Sequence, residues 1–301
     1  MGRDGRTLVV PDSQTAVVAD TTNYLPPEMR REFDIAEVSL YVGLEGEQRP
    51  ESELLTDLDA FYEQLRMSGQ TVTTSQPSVG DFITTFEPLL ADGREIVSVH
   101  LSAGISGTYE SAVQARERLQ ADGKGGDRIQ IVDSRTAAGG MSLVLLAAAH
   151  AAKSGASAKE AAAKSHEARE SLRLWFAVDT LEYLRRGGRI GSAGAWLGTT
   201  LKIKPILTFE EEVTPVERVR TRSRSIERLV GYAQTQHEDG ADAWVVQHIQ
   251  DQEAADAMVE TCTPIFGCEP QMVSEIGPVL GAHAGPGLIG VASTTHASLG
   301  L

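Results

Sequence analysis

Along the first half of the chain, hydrophobic positions switch between two periods. Apolar runs at 15–19 (TAVVA), 96–101 and 129–133 predict buried strands, and a further strand is expected near 35–42. Helical patterns lie between them. Leu58, Phe61, Tyr62 and Leu65 share one face, with Thr56 and Asp59 as an expected capping box. Ser78 and Asp81 repeat that signature ahead of Phe82, Ile83 and Phe86, and Pro88 leaves the end of this helix open. Helices are also predicted over 109–119 and, buried, over 142–153. Strands separated by helices of this length imply parallel βαβ units.

The second half reads differently. An Ala-rich helix is expected over 157–171, then a strand (172–178), a short helix and a glycine-rich segment (187–198). Residues 205–222 predict two strands joined at 210–212 as an antiparallel hairpin. A helix (225–236), a strand (243–249), a helix (253–262) and a final strand pair follow. The predicted class is therefore α/β, with two α/β domains: the first has a parallel sheet flanked by helices, the second a mixed sheet. The expected division is a flexible leader (1–14), an N-terminal domain (15–156) and a C-terminal domain (157–301).

Composition narrows the function classes. The 301 residues are 41% hydrophobic and 23% charged, enough for packed cores and unlike a disordered chain. Lys and Arg number 27 against 42 Asp and Glu, a net charge of −15 that disfavours nucleic acid and anionic membrane surfaces as partners. Cys262 and Cys268 make neither a disulfide framework nor a zinc ligand set. The longest nearly apolar run, 141–152, is short of the roughly 18 residues of a bilayer span, and the N-terminus has no signal-peptide pattern. A cytoplasmic protein without stable membrane insertion is expected.

The chain lacks a nucleotide phosphate loop, a dinucleotide fingerprint, a G-x-S-x-G elbow and an H-E-x-x-H pair. Hydroxyl-rich turns remain, Thr73–Ser78 and Leu101–Tyr109, each opening a helix. Such turns suit a carboxylate or phosphate, although taken alone each reads first as a plain helix cap. The stretch 277–287 places His283 among four glycines and two prolines, as in a stiff loop where backbone approaches something closely. Residues 182–228 reverse the charge, with ten Lys and Arg against six Glu. There Arg218, Arg220, Arg222 and Arg224 fall at alternate positions, one face of an expected strand, while Arg185, Arg186 and Arg189 form a second cluster. The stripe is either a solvated face or a docking surface for an acidic partner.

In this order the segments resemble the DegV family: AVVADTTNYLP (16–26), TTSQPSVGDF (73–82), LSAGISGTYESA (101–112), IVDSRTAAGG (131–140), DTLEYLRRGGRIG (179–191), LKIKPIL (201–207), VRTRSRSIERL (219–229) and GPVLGAHAGPGLIG (277–290). The resemblance implies two domains with one long-chain fatty acid held between them. It also implies the role of fatty-acid-binding subunit of bacterial fatty acid kinase, in which a separate ATP-dependent subunit makes acyl phosphate for phospholipid synthesis. By resemblance, Thr74, Ser106 and His283 hold the carboxylate, supported by Ser75, Gly107, Thr108, Gly285 and Gly287. Arg185, Arg186, Arg189 and Arg220 would lie at the head group or kinase face. No cofactor, metal or catalytic residue of its own is implied. Two other readings stay open: a lipid sensor or transporter without a kinase, and a serine-dependent acyl-transfer enzyme using Ser106 with His283 as base.

Overall fold

The computed structural model describes residues 14–44, 46–67, 72–197 and 203–301. The expected leader falls almost wholly outside these, as do Gly198 of the glycine-rich segment and the first two residues of LKIKPIL.

Four strands form a parallel sheet in the order Ile35–Val38, Thr15–Asp20, Glu95–His100, Ile129–Asp133. Thr15–Asp20 is buried at every residue, as a central parallel strand covered on both faces must be. Helices Val79–Ala91 and Thr108–Ala121 cover one face through Phe82, Phe86, Ala112, Ala115 and Leu119. The other face meets Ala138–Lys153 and Ala158–Ser171. The latter helix, at the start of the expected second domain, thus packs on the first sheet.

The mixed sheet has six strands: Glu212–Val219, Lys204–Glu210, Arg173–Ala177, Ile289–Thr294, Ala243–His248 and Met272–Glu275. Only its last pair is parallel. The outer face is covered by Arg222–Glu238 and Gln252–Phe266, which bury Leu229, Met258 and Phe266 against Trp244 and Val246. The inner face packs on Ala138–Lys153, so this helix lies between two sheets. That position explains why its sequence is apolar all round, with no polar face to give to solvent.

A three-stranded antiparallel sheet, Glu47–Pro50, Tyr41–Leu44, Thr73–Ser75, was not expected. The predicted strand over 35–42 is in fact two strands in different sheets, broken at Ser39–Leu40.

Further corrections follow from local hydrogen bonding. The Thr56–Asp59 capping box does not form: Asp57 accepts from Ala60 N–H at 3.0 Å, while Thr56 donates to Glu53 O. The box at Ser78–Asp81 does form, a further one at Ser157–Glu160 was not expected, and Pro88 lies inside Val79–Ala91 without ending it. The final two strands are not neighbours, since Ala243–His248 runs between them. The arginine stripe is not one strand face. Its strand stops at Val219, Thr221 caps the next helix by accepting from Arg224 N–H, and Arg222 and Arg224 occupy the first helical turn.

Candidate ligand chamber

Between the sheets lies a cavity of about 990 Å³, open mouth included. Its walls are apolar: Leu40 and Leu101 from one side, Phe176, Phe209 and Val245 from the mixed sheet, Val279 from helix Pro278–Ala284. The central strand supplies Gly290 and Ala292, which keep the floor low where longer side chains would fill the space. Gly139 lets helix Ala138–Lys153 pack closely on the mixed sheet, since a Cβ there would stand 2.9 Å from Val245 Cγ2.

Besides Gln247 on strand Ala243–His248, polar lining groups come from four segments. Thr74, Ser75 and Gln76 leave the three-stranded sheet, Ser106 opens helix Thr108–Ala121, His283 stands on Pro278–Ala284, and Arg189 follows helix Glu182–Arg186. Thr74 Oγ1 and His283 Nε2 are 2.7 Å apart. Ser106 Oγ lies 2.9 Å from Thr108 Oγ1 and accepts from Thr108 N–H at 3.3 Å. Arg189 is fixed by donating from Nε to Ile105 O and from Nη1 to Gly187 O.

His283 is buried, and burial followed by the Arg189 guanidinium pulls its imidazole down to about 4. It is thus neutral near pH 7, with one N–H to give. Its Nδ1 is buried without a hydrogen-bond partner among the described residues. Gly187 packs against that atom: a Cβ at Gly187 would lie 2.0 Å from Nδ1. Gly285, at φ 76° and ψ 163°, holds a conformation essentially confined to glycine and ends the His283 helix against the Tyr183 ring. Gly287, at φ 86°, packs on Asp179.

The helix bearing His283 is pinned from the first half of the chain. Glu51, fully buried, accepts from Thr21 Oγ1 at 2.6 Å, Tyr24 Oη at 2.8 Å and Val279 N–H at 2.8 Å. Burial raises its carboxyl to about 7. Tyr62 donates to Ile276 O and would meet any Cβ at Gly281. Sequence reading missed Glu51, because a glutamate after EQRP has the signature of an exposed turn.

The expected site residues therefore separate. Thr74, Ser75, Ser106, His283 and Arg189 share the chamber; Gly107, Thr108, Gly285 and Gly287 shape the loops behind it. Ser75 also accepts from the Gln48 amide. Arg185 and Arg186 do not line the chamber and both pair with Glu182. Arg220 is exposed and outside it as well. Of its neighbours, Arg218 stacks on Trp196, Arg222 pairs with Asp251, and Arg224 with Glu227.

An acyl-transfer pair is not assembled, because the His283 nitrogen near a hydroxyl faces Thr74 and no carboxylate bonds its other nitrogen. A Ser–His–Asp line, Ser98 to His100 to Asp20 at 2.7 and 3.1 Å, is fully buried and does not line the chamber. It joins adjacent strands instead. Among the described residues no group of His, Cys, Asp and Glu is arranged to hold a metal, and no helix is long and apolar enough to cross a membrane. Cys262 and Cys268 are unpaired, and burial pushes the Cys262 thiol up to about 11.

A largely apolar chamber with an open mouth, bearing hydroxyls, a neutral imidazole and one guanidinium, has a lining suited to an elongated amphipathic molecule. The chain belongs to the DegV family, whose model, described as "Uncharacterised protein, DegV family", matches residues 14–296. It is 34% identical over 281 residues to protein DegV of Bacillus subtilis, covering 92% of this chain and 97% of that one. A DegV domain-containing protein of Streptomyces coelicolor is 35% identical over 279 residues, with 92% and 96% covered. The fold matches the crystal structure of DegV, a fatty acid binding protein from Bacillus subtilis, with TM-score 0.83, 33% identity and coverage of 94% and 99%. A DegV family protein from Thermus thermophilus, described for its fatty acid binding, matches with TM-score 0.80, 29% identity and coverage of 93% and 99%.

Proposed function

We propose that this protein binds one long-chain fatty acid, tail in the apolar chamber and carboxylate at Thr74, Ser106 and His283. The observation that carries this reading is the convergence of two hydroxyls, a neutral imidazole and Arg189 on a largely apolar cavity. Hydroxyl and imidazole donors suit a carboxylate without burying a full counter-charge, and Arg189, held at the edge, adds attraction while staying hydrated. The fatty acids bound by the two related DegV structures support the same ligand class.

The acid held this way is presented to a separate ATP-dependent kinase subunit, which forms acyl phosphate for phospholipid synthesis; the chain is a lipid-binding subunit and not a catalyst alone. Support comes from Arg189, which lines the chamber and acts on His283, and from Arg185, Arg186 and Arg220, which are exposed and outside it. The test compares a long-chain acid with its methyl ester on delipidated protein. Strong binding of the acid and weak binding of the ester supports the head-group assignment, whereas equal affinities refute it. Acyl phosphate formation with ATP and a kinase subunit, absent when either protein is omitted, tests the second step.

A further inference from the structure

One side chain in the chamber does not suit a plain hydrocarbon tail. Gln247, on strand Ala243–His248, lines the cavity and is 3% exposed. Its Nε2 donates to Ser274 Oγ at 2.8 Å, while Oε1 is buried with no hydrogen-bond partner among the described residues. Within the sheet it stands in a cross-strand row, Phe176, Gly290, Gln247, Ser274. Gly290 leaves the space between Phe176 and Gln247 unfilled, and Gly139 comes close opposite, where a Cβ would lie 3.2 Å from Oε1. The adjoining row, Leu174, Ala292, Val245, is wholly apolar. The polar spot is thus single and local.

We propose that Gln247 is a specificity residue for an acyl chain carrying a hydroxyl group along its length, which hydrogen-bonds the free amide atom. The inference rests on the fatty-acid reading and adds the substrate class. A methylene laid against Oε1 keeps a buried acceptor unsatisfied, whereas a chain hydroxyl donates to it. Chemistry favours a hydroxyl over a keto group. Ser274 Oγ can donate as well as accept, so the amide is able to turn and leave either its oxygen or its NH2 over; a hydroxyl satisfies both orientations, a ketone only one.

The test uses delipidated full-length protein, octadecanoic acid, and a series of hydroxyoctadecanoic acids with the hydroxyl at successive carbons. One position in the series is expected to bind about tenfold tighter than octadecanoic acid, and Gln247→Leu to erase that preference while still binding octadecanoic acid. The positional series on the unsubstituted protein stands whether or not the variant folds. If octadecanoic acid binds and every hydroxy acid binds equally or more weakly, the inference is overturned and the fatty-acid reading survives. If no acid in the series binds, both are overturned.

Discussion

Thr74 Oγ1 and His283 Nε2 lie 2.7 Å apart, though 209 positions separate them in the chain. The contact is made between a three-residue edge strand and a seven-residue helix, neither stable alone. Thr74→Val keeps the shape and deletes the hydroxyl, so fatty-acid affinity is expected to fall by about 1–3 kcal/mol while the fold remains. A competition titration with thermal melting of the same variant checks it. Unchanged affinity would remove Thr74 from the head-group site.

Gly187 faces His283 so closely that only hydrogen fits. Gly187→Ala is expected to displace the imidazole and weaken ligand binding. Gly188→Ala supplies the contrast: at φ 69° with no atom within 4 Å, it meets only backbone strain, about 1–2 kcal/mol. Affinity should therefore fall for the first variant, and melting temperature without affinity for the second.

Glu51 and His283 oppose each other in pH dependence. His283 is shifted down to about 4 from an ordinary 6.5, so below pH 6.5 the unfolded chain takes the proton first and stability falls towards pH 4. Glu51 is shifted up to about 7 from 4.5, so the folded chain holds more protons between those values and stability falls as pH rises through the window. Glu51→Gln should leave a profile that drops more steeply on acidification between pH 6.5 and 4, and His283→Gln one that drops less. Denaturant midpoints across this range decide; identical profiles would contradict both assignments.

Arg220 tests the kinase face. It is exposed and outside the chamber, so Arg220→Glu should slow acyl phosphate formation with the kinase subunit and leave fatty-acid affinity unchanged. Association should also slow with added salt, as the screening length contracts to about 8 Å at physiological ionic strength. Loss of lipid binding in the variant would move this arginine into the pocket. No change in either quantity would leave a solvated surface.

Most of the frame was legible because it is local. Buried runs such as TAVVA, the capping box at Ser78, and the hydroxyl-rich turns carry their structure within a few residues. Thr74, Ser106 and His283 were legible through motif order, which resemblance supplied and periodicity did not. The rest depends on distant partners. The three-stranded sheet joins Thr73–Ser75 to Tyr41–Leu44, a pairing no local pattern marks. Glu51 and Gln247 look like surface residues until Thr21, Tyr24 and Val279, or Ser274 and Gly290, are brought around them. The alternating arginines mislead because their period crosses a strand end and a helix cap at Thr221.

The central claim is that the chamber holds a fatty acid by its carboxylate. Native mass spectrometry of the protein after incubation with a long-chain acid, followed by spraying from denaturing solvent, tests it most directly. The account predicts a mass increase of one fatty acid per chain, released on denaturation and reduced for His283→Ala. A chain that stays unliganded, or that holds the methyl ester as firmly as the acid, would contradict it.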